Sequence, residues 1–231
     1  MKYRYEAASP EAVVQLIAAS YLRHGYYWYV TGWIPEGKDP GSVDRKLIDK
    51  YGIDVTEWER SSRKKRGLAN AHYLRFERWF ILMVTEGHHP LKAPAAKGGE
   101  KELLRDCRRV PIRFEGYAIS YRRAGVTPQG ATVPKWHAHV RIDGPTYREL
   151  NAHFLSIACH RSPENLAREL AAIPFARYAP IRRQLLTLLR QINAARQRMG
   201  YATLPHSVLK LRREPVKIYR ETENRPDQRA A

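Results

Sequence analysis

Up to Gly144, apolar residues recur first at helical and then at strand spacing. In 9–25, SPEAVVQLIAASYLRHG, the residues Val13, Leu16, Ile17 and Tyr21 fall on one helical face. Ser9 is placed to cap that helix, Pro10 to occupy its first position and Gly25 to end it. The next segment, 26–34, YYWYVTGWI, is aromatic and β-branched and reads as a strand closed by Pro35 and Gly37. Residues 42–52 predict a short helix stopped by Gly52, and 54–78 a basic helix that opens on a capping box from Asp54 to Glu57 and breaks at Gly67. Strands are expected at 78–87 and at 110–123, the latter with Ile112, Phe114, Ile119 and Tyr121 on its faces and a bulge at Gly116. A turn rich in Gly and Pro, 124–134, leads to a strand at 135–143, KWHAHVRID. These last two strands form an antiparallel hairpin most simply, with 135–143 inside the sheet.

Beyond Gly144 the periodicity is helical. Tyr147, Leu150, Phe154 and Ile157 make one stripe, and 162–174 begins with a Ser-Pro-Glu-Asn cap. Segment 179–200 is strongly amphipathic, with Ile181, Leu185, Leu188, Leu189 and Ile192 inward and Arg182, Arg183, Arg190, Arg196 and Arg198 elsewhere on its surface. The predicted fold class is α+β: a mainly antiparallel four-stranded sheet flanked by helices, with a helical C-terminal third. One domain is expected over 1–204, followed by a basic, partly disordered tail over 205–231.

Charge changes this picture most. The 231 residues carry 41 Lys and Arg against 23 Asp and Glu, a formal +18, with a pI near 10.1. A surplus of that size attracts polyanions, and nucleic acid is the expected partner, DNA favoured and RNA allowed. No segment reads as a membrane span or a basic amphipathic anchor, so no membrane partner is expected. Two cysteines are too few for a disulfide framework, which fits a reducing cytoplasm.

Cations and aromatics interleave in 59–80: Arg60, Arg63, Lys64, Lys65 and Arg66, then His72, Tyr73, Arg75 and Arg78. Clustered cations release counterions from phosphate, and neighbouring aromatics stack on unpaired bases. Smaller basic patches contain Arg122 with Arg123, Arg182 with Arg183, and Arg212 with Arg213. The plainer meaning of such runs is a solvated helix face or tail.

The strand at 135–143 also places His137 and His139 on one face, where two imidazoles are able to hold one metal ion. A strand ending in hydroxyl-bearing residues, YWYVTG, followed much later by His-x-His on another strand resembles the HUH endonucleases, the superfamily of rolling-circle initiators, relaxases and single-tyrosine transposases. The resemblance spans residues 26 to about 200. It implies an antiparallel sheet, a divalent ion (Mg²⁺ or Mn²⁺) on the two histidines, and a tyrosine that attacks a phosphodiester to nick and rejoin DNA. Tyr178 is the preferred nucleophile, with Arg182 one turn on to support it. Two imidazoles alone hold Mg²⁺ or Mn²⁺ weakly, since those ions prefer oxygen, and Glu86, His88 or His89 in VTEGHHP would complete a three-ligand set if that strand neighbours the His-x-His strand. The chain departs from the family pattern in having Ala138 between the histidines and no Tyr-x-x-Lys downstream. Two alternatives stay open: a non-catalytic DNA- or RNA-binding subunit of a larger mobile-element or defence complex with other protein subunits, and a nuclease using the histidines directly as acid and base.

Overall fold

A computed structural model describes residues 3–92, 104–123 and 135–220. The Gly/Pro-rich turn at 124–134, most of the loop that begins at His88 and the chain beyond 220 lie outside the described residues.

The first helix, α1 (Pro10–Gln15), starts where the sequence places it, with the Ser9 hydroxyl accepting from Ala12 N–H. It continues through a π-helical turn, Leu16–Tyr21, and a 3₁₀ turn, Leu22–His24, before Gly25 ends it in a left-handed conformation. β1 (Trp28–Trp33) follows, then α2 (Pro40–Lys50), capped by Asp39, and α3 (Glu57–Lys65). The side chain that caps α3 is Thr56, which accepts from Glu59 N–H, two residues beyond the expected Asp54. The basic helix also stops sooner than expected, because 71–76 is a strand. In β2 (Ala71–Phe76) every second side chain enters a separate core, a period that the preceding run of cations obscures. β2 turns at Glu77 into β3 (Trp79–Val84), and both pair along their whole length.

The expected strand at 110–123 is a hairpin. β5 (Ile112–Phe114) and β6 (Tyr117–Arg123) are joined by Glu115 and Gly116, whose φ values of 43° and 72° match the doubly left-handed two-residue turn. Gly116 therefore makes the turn and not a bulge. β6 pairs antiparallel with β7 (Trp136–Ile142), as the sequence predicts. β7 is however an edge strand of the order β5-β6-β7, so the histidines are not in the middle of a sheet.

The fold is α+β. One antiparallel sheet has the order β2-β3-β1-β4, with β4 the short Arg105–Asp106, and the three-stranded sheet is the second. Helices α4 (Gly144–Ile157), α5 (Pro163–Ala171) and α6 (Ala179–Arg198) make the last third helical. One core packs α1 and α6 against the apolar faces of both sheets, through residues such as Ile17, Ile81, Ile119, Val140 and Leu188. The other face of the four-stranded sheet covers a smaller core around Ile53, Tyr73 and Leu82. Along α6 the apolar set Ile181, Leu185, Leu188, Leu189 and Ile192 is buried as expected, but Arg196 is buried too. Its guanidinium donates to the carbonyls of Ala158, Arg161 and Ala202, which satisfies a charge that would otherwise be costly to bury. Residues 205–220 are not a free tail: Leu209 is buried, and Tyr219 bridges to Ala7.

Asp44 of α2 is fully buried and accepts from Tyr73 Oη and, at 2.9 Å, from Arg75 Nε. Burial pushes its carboxyl upward against the opposing pull of both partners. Arg75 also pairs with Glu6 at 2.9 Å, so one guanidinium joins the N-terminal segment, α2 and β2. Removing one partner of such a network strands the other charge in the interior. Asp44→Ala is expected to lose about 3–5 kcal/mol in urea unfolding, whereas Asp49→Ala on the exposed side of α2 should stay within about 0.5 kcal/mol of wild type.

Candidate nucleic-acid interface

Cys107 joins the two sheets edge to edge. Its N–H donates to the Tyr27 carbonyl at 2.9 Å, and its own carbonyl accepts from Tyr121 N–H at 3.4 Å. The pairing aligns the start of β1 with the end of β6 and the start of β7. One end of the joined sheets therefore gathers residues far apart in sequence. Their side chains stack in a row: the Tyr27 and Tyr121 rings lie 4.9 Å apart and 24° from parallel, and Tyr121 and Trp136 5.6 Å apart and 13° from parallel. The Arg108 guanidinium closes the row 4.7 Å from the Tyr27 ring, held there by ion pairs to Asp106 and Glu86 of 2.8 Å each. At the other end Trp136 is 48% exposed. Such a row is rigid, and its open end is an aromatic surface on which a base can stack.

Strand alternation sorts the outer face of the three-stranded sheet. In the β6–β7 register Arg122 lies opposite His137, Ser120 opposite His139 and Ala118 opposite Arg141, and Arg113 of β5 lies opposite Ala118. All seven residues share the face turned away from the core. It carries three guanidinium groups, two imidazoles and no carboxylate. Arg113, Arg122, His137 and Arg141 are exposed and His139 half-buried. The two imidazole centroids are 6.4 Å apart. Burial, then Arg122, Arg141 and His137, hold the His139 pKa below its usual value. Its Nδ1 is buried and has no hydrogen-bond partner among the described residues.

A hard divalent ion does not fit the donors described around the histidine pair. Mg²⁺ and Mn²⁺ favour oxygen ligands, and the positive field that disfavours a proton on His139 would disfavour a dication as well. Glu86, His88 and His89 belong to the other sheet. Glu86 is taken by Arg108, by Lys92 at 3.6 Å and by the Trp28 indole N–H at 3.0 Å, and these three partners lower its pKa although partial burial opposes them. His88 is bound through its backbone to the stretch before β2, and His89 Nδ1 accepts from Leu91 N–H at 3.2 Å. Among the described residues no three His, Cys, Asp or Glu side chains are grouped to hold a metal.

Tyr178 stands immediately before α6, on the core side of the three-stranded sheet, whereas His137 and His139 project from the opposite face. Burial raises its phenol pKa, and the cation beside its ring, at 5.1 Å, is Arg213 rather than Arg182. Arg212 and Arg213 line with it a separate cleft of about 310 Å³. Arg182 and Arg183 are exposed on α6.

The basic run after Arg60 divides. Lys64, Lys65 and Arg66 are exposed, and Arg63 is tied to Glu59 and to the Gly52 carbonyl. Tyr73 and Arg75 are corrected from nucleic-acid contacts to core residues: they are 0% and 7% exposed and serve Asp44. Arg113, Arg141, Tyr27, Arg108 and Trp136 escaped sequence reasoning. For Arg141 a signal existed, since His-x-His continues at the same strand period as His-Ala-His-Val-Arg.

A second feature lies at the same end of the sheet. Between the π-helical turn and α3 opens a cleft of about 600 Å³, with His72 in its wall. The His72 ring stacks on Tyr21 at 4.6 Å and lies 4.7 Å from Tyr26. Tyr3 Oη donates to the Tyr73 carbonyl and accepts from Tyr73 N–H, so His72 Nδ1 must be the donor in its 3.0 Å bond to Tyr3. His72 Nε2 is then an unprotonated acceptor facing Arg60 Nη1 at 3.5 Å. Burial, then Arg60 and His24, depress the His72 pKa to about 3.

Among the described residues no helix is long and apolar enough to cross a membrane. No protein-family model, no curated protein and no solved structure matches the chain.

The depressed pKa of His72 links stability to pH. The unfolded chain takes up this proton near pH 6.5 and the folded protein only near pH 3, so His72 costs stability as pH falls through that window. Between pH 7 and pH 5 its share is at most about 2 kcal/mol, from about 1.36 kcal/mol per pH unit below 6.5. Urea unfolding of His72→Phe is expected to lose that part of the slope, with the remainder left to His89 and His139, whose pKa values are also lowered.

Proposed function

We propose that this protein binds nucleic acid, with the outer face of β5–β7 as its main contact surface. The observation that carries the reading is the composition of that face: Arg113, Arg122 and Arg141 with His137 and His139, with no carboxylate among the residues in their register. Guanidinium groups on a rigid sheet offer forked donors to successive phosphates at little entropic cost. The exposed Trp136, at the start of β7 and on the other face of that strand, adds a surface for bases at the same end of the sheet. The net charge of +18 favours the same partner. Phosphate contacts alone do not separate DNA from RNA, so both belong in the assay.

The nicking chemistry implied by the HUH resemblance is not part of this proposal, since it needs a tyrosine, a metal and a histidine pair on one side of the sheet. Binding without chemistry, as a module alone or within a larger complex, accounts for the charged face by itself.

Fluorescence anisotropy with labelled DNA and RNA over a range of KCl concentrations tests the reading. Wild type should show a steep fall of log K with log salt. Arg113→Ser/Arg122→Ser/Arg141→Ser should lower the magnitude of that slope by about 2 to 3, for three lost phosphate contacts. EDTA should leave the affinity unchanged, as should Tyr178→Phe. A triple variant that binds with the wild-type slope would move the interface elsewhere, and a wild type that binds neither polymer would end the proposal.

A further inference from the structure

After α6 the chain runs back to the N-terminal segment as a strap. Its near end is tied down where Leu209 is buried and the Lys210 carbonyl accepts from Arg177 Nε at 2.7 Å. Its far end is held where the Ile218 carbonyl accepts from Ala8 N–H at 3.1 Å. The connection from α5 to α6 is fixed in turn, because Ala176 N–H donates to the hydroxyl of the buried Tyr117 at 2.8 Å. Residues of both stretches line the cleft of about 310 Å³ that contains Tyr178. Its walls are therefore anchored before any ligand arrives.

Arg177 is the buried cation of this cleft, 9% exposed. Its Nη1 donates to the Phe175 carbonyl at 2.7 Å, as its Nε does to that of Lys210, and no carboxylate of the described residues pairs with it. Its Nη2 has no partner among the described residues. The side-chain polar atoms there that lack a partner and are also sealed from water are Arg60 Nε, Asn70 Oδ1 and His139 Nδ1. Arg177 Nη2 is not one of them, so solvent reaches it, and the cleft that Arg177 lines is the way in. Lys210, Arg212 and Arg213 are exposed around the mouth, and Glu11 and Glu214 are the acids of the lining. Four cations against two carboxylates leave a surplus of two positive charges. A guanidinium held on one side by carbonyls and open on the other is a preset donor for an anion.

We propose that this cleft binds a small phosphate monoester, its phosphate accepting from Arg177 Nη2 among the rim cations and its organic body lying against Phe175, Pro215 and Val216. A phosphate monoester carries close to two negative charges at pH 7 and three acceptor oxygens, which match the surplus charge and the several donors. The volume stands at the small end of ligand sites and suits a molecule the size of a phosphorylated sugar or phenol. Tyr178, in the same cleft, is on the core side of the three-stranded sheet and away from Arg113, Arg122 and Arg141. The inference is thus independent of the nucleic-acid reading above.

Isothermal titration calorimetry of the whole chain at pH 7 with phenyl phosphate, inorganic phosphate and benzoate tests it. Phenyl phosphate is expected to bind about tenfold more tightly than inorganic phosphate, which lacks the apolar body, and about tenfold more tightly than benzoate, which has one charge fewer. Arg212→Gln/Arg213→Gln, at two exposed positions, should weaken phenyl phosphate about tenfold, while Arg190→Gln on the exposed side of α6 should leave it unchanged. Arg177→Lys should remove binding, and the exposed pair decides the matter if that variant folds poorly. Benzoate bound as tightly as phenyl phosphate would overturn the choice of phosphate, and inorganic phosphate bound as tightly would overturn the monoester. Wild-type affinity in the double variant would overturn the cleft as the site, and no binding of any probe would end the proposal. None of these results touches the basic face, whose own assay uses polymers and salt.

Discussion

The place where the two sheets meet depends on one residue whose backbone pairs on both sides. Cys107 bonds to Tyr27 on the strand side of one sheet and to Tyr121 on the edge of the other. Tyr29 Oη of β1, which donates to the Val110 and Pro111 carbonyls just before β5, supports the same join. Through these bonds the ends of β1, β6 and β7 are held level. The side chain at this position must also be small and apolar. The Cys107 thiol is fully buried, and burial pushes its pKa up to about 12, so it behaves as a compact hydrophobe and not as a nucleophile.

Charge placement follows from that join. Asp and Glu are present throughout the chain; near this end Asp106 and Glu86 hold Arg108, and Asp44 is sealed behind Arg75. The guanidinium groups of Arg113, Arg122 and Arg141 face solvent with no acid in their register. A surplus of positive charge spread evenly would only repel itself. Concentrated on one sheet face, it becomes a field with a direction. The same field opposes a metal dication on His137 and His139, so one arrangement both favours phosphate and disfavours the ion that the His-x-His pattern suggests.

The interior solves a different electrostatic problem. Of the three buried arginines, Arg75, Arg177 and Arg196, the first and the last are satisfied in different ways. Arg75 has carboxylate partners in Asp44 and Glu6, while Arg196 spends its donors on three carbonyls near helix ends and on none of the acids. Both tie together segments distant in sequence, which makes them connectors of the fold and keeps their charge off the outer surface.

Local pattern alone determined the elements whose signal is short in range: the Ser9–Pro10 start and Gly25 stop of the first helix, the hairpin of β6 with β7, the inward stripe of α6, and His137 with His139 on one face. Each depends on periodicity or on a cap within a few residues. Net charge determined that a polyanion is the expected partner. Tertiary structure alone decided which cations are available. Arg60, Arg63, Arg75 and Arg66 lie within one short basic stretch, but a cleft, a helix cap region, a buried carboxylate and open solvent claim them separately. It also decided that Tyr178 and the histidines lie on opposite sides of a sheet, and that Arg60 and Asn70 share a cleft with the much earlier Tyr21. The physical reason is that alternation specifies a residue's face only relative to its own strand. Which face becomes interior, and which strand lies alongside, is settled by pairing between distant segments such as the one at Cys107, and no local period encodes that pairing.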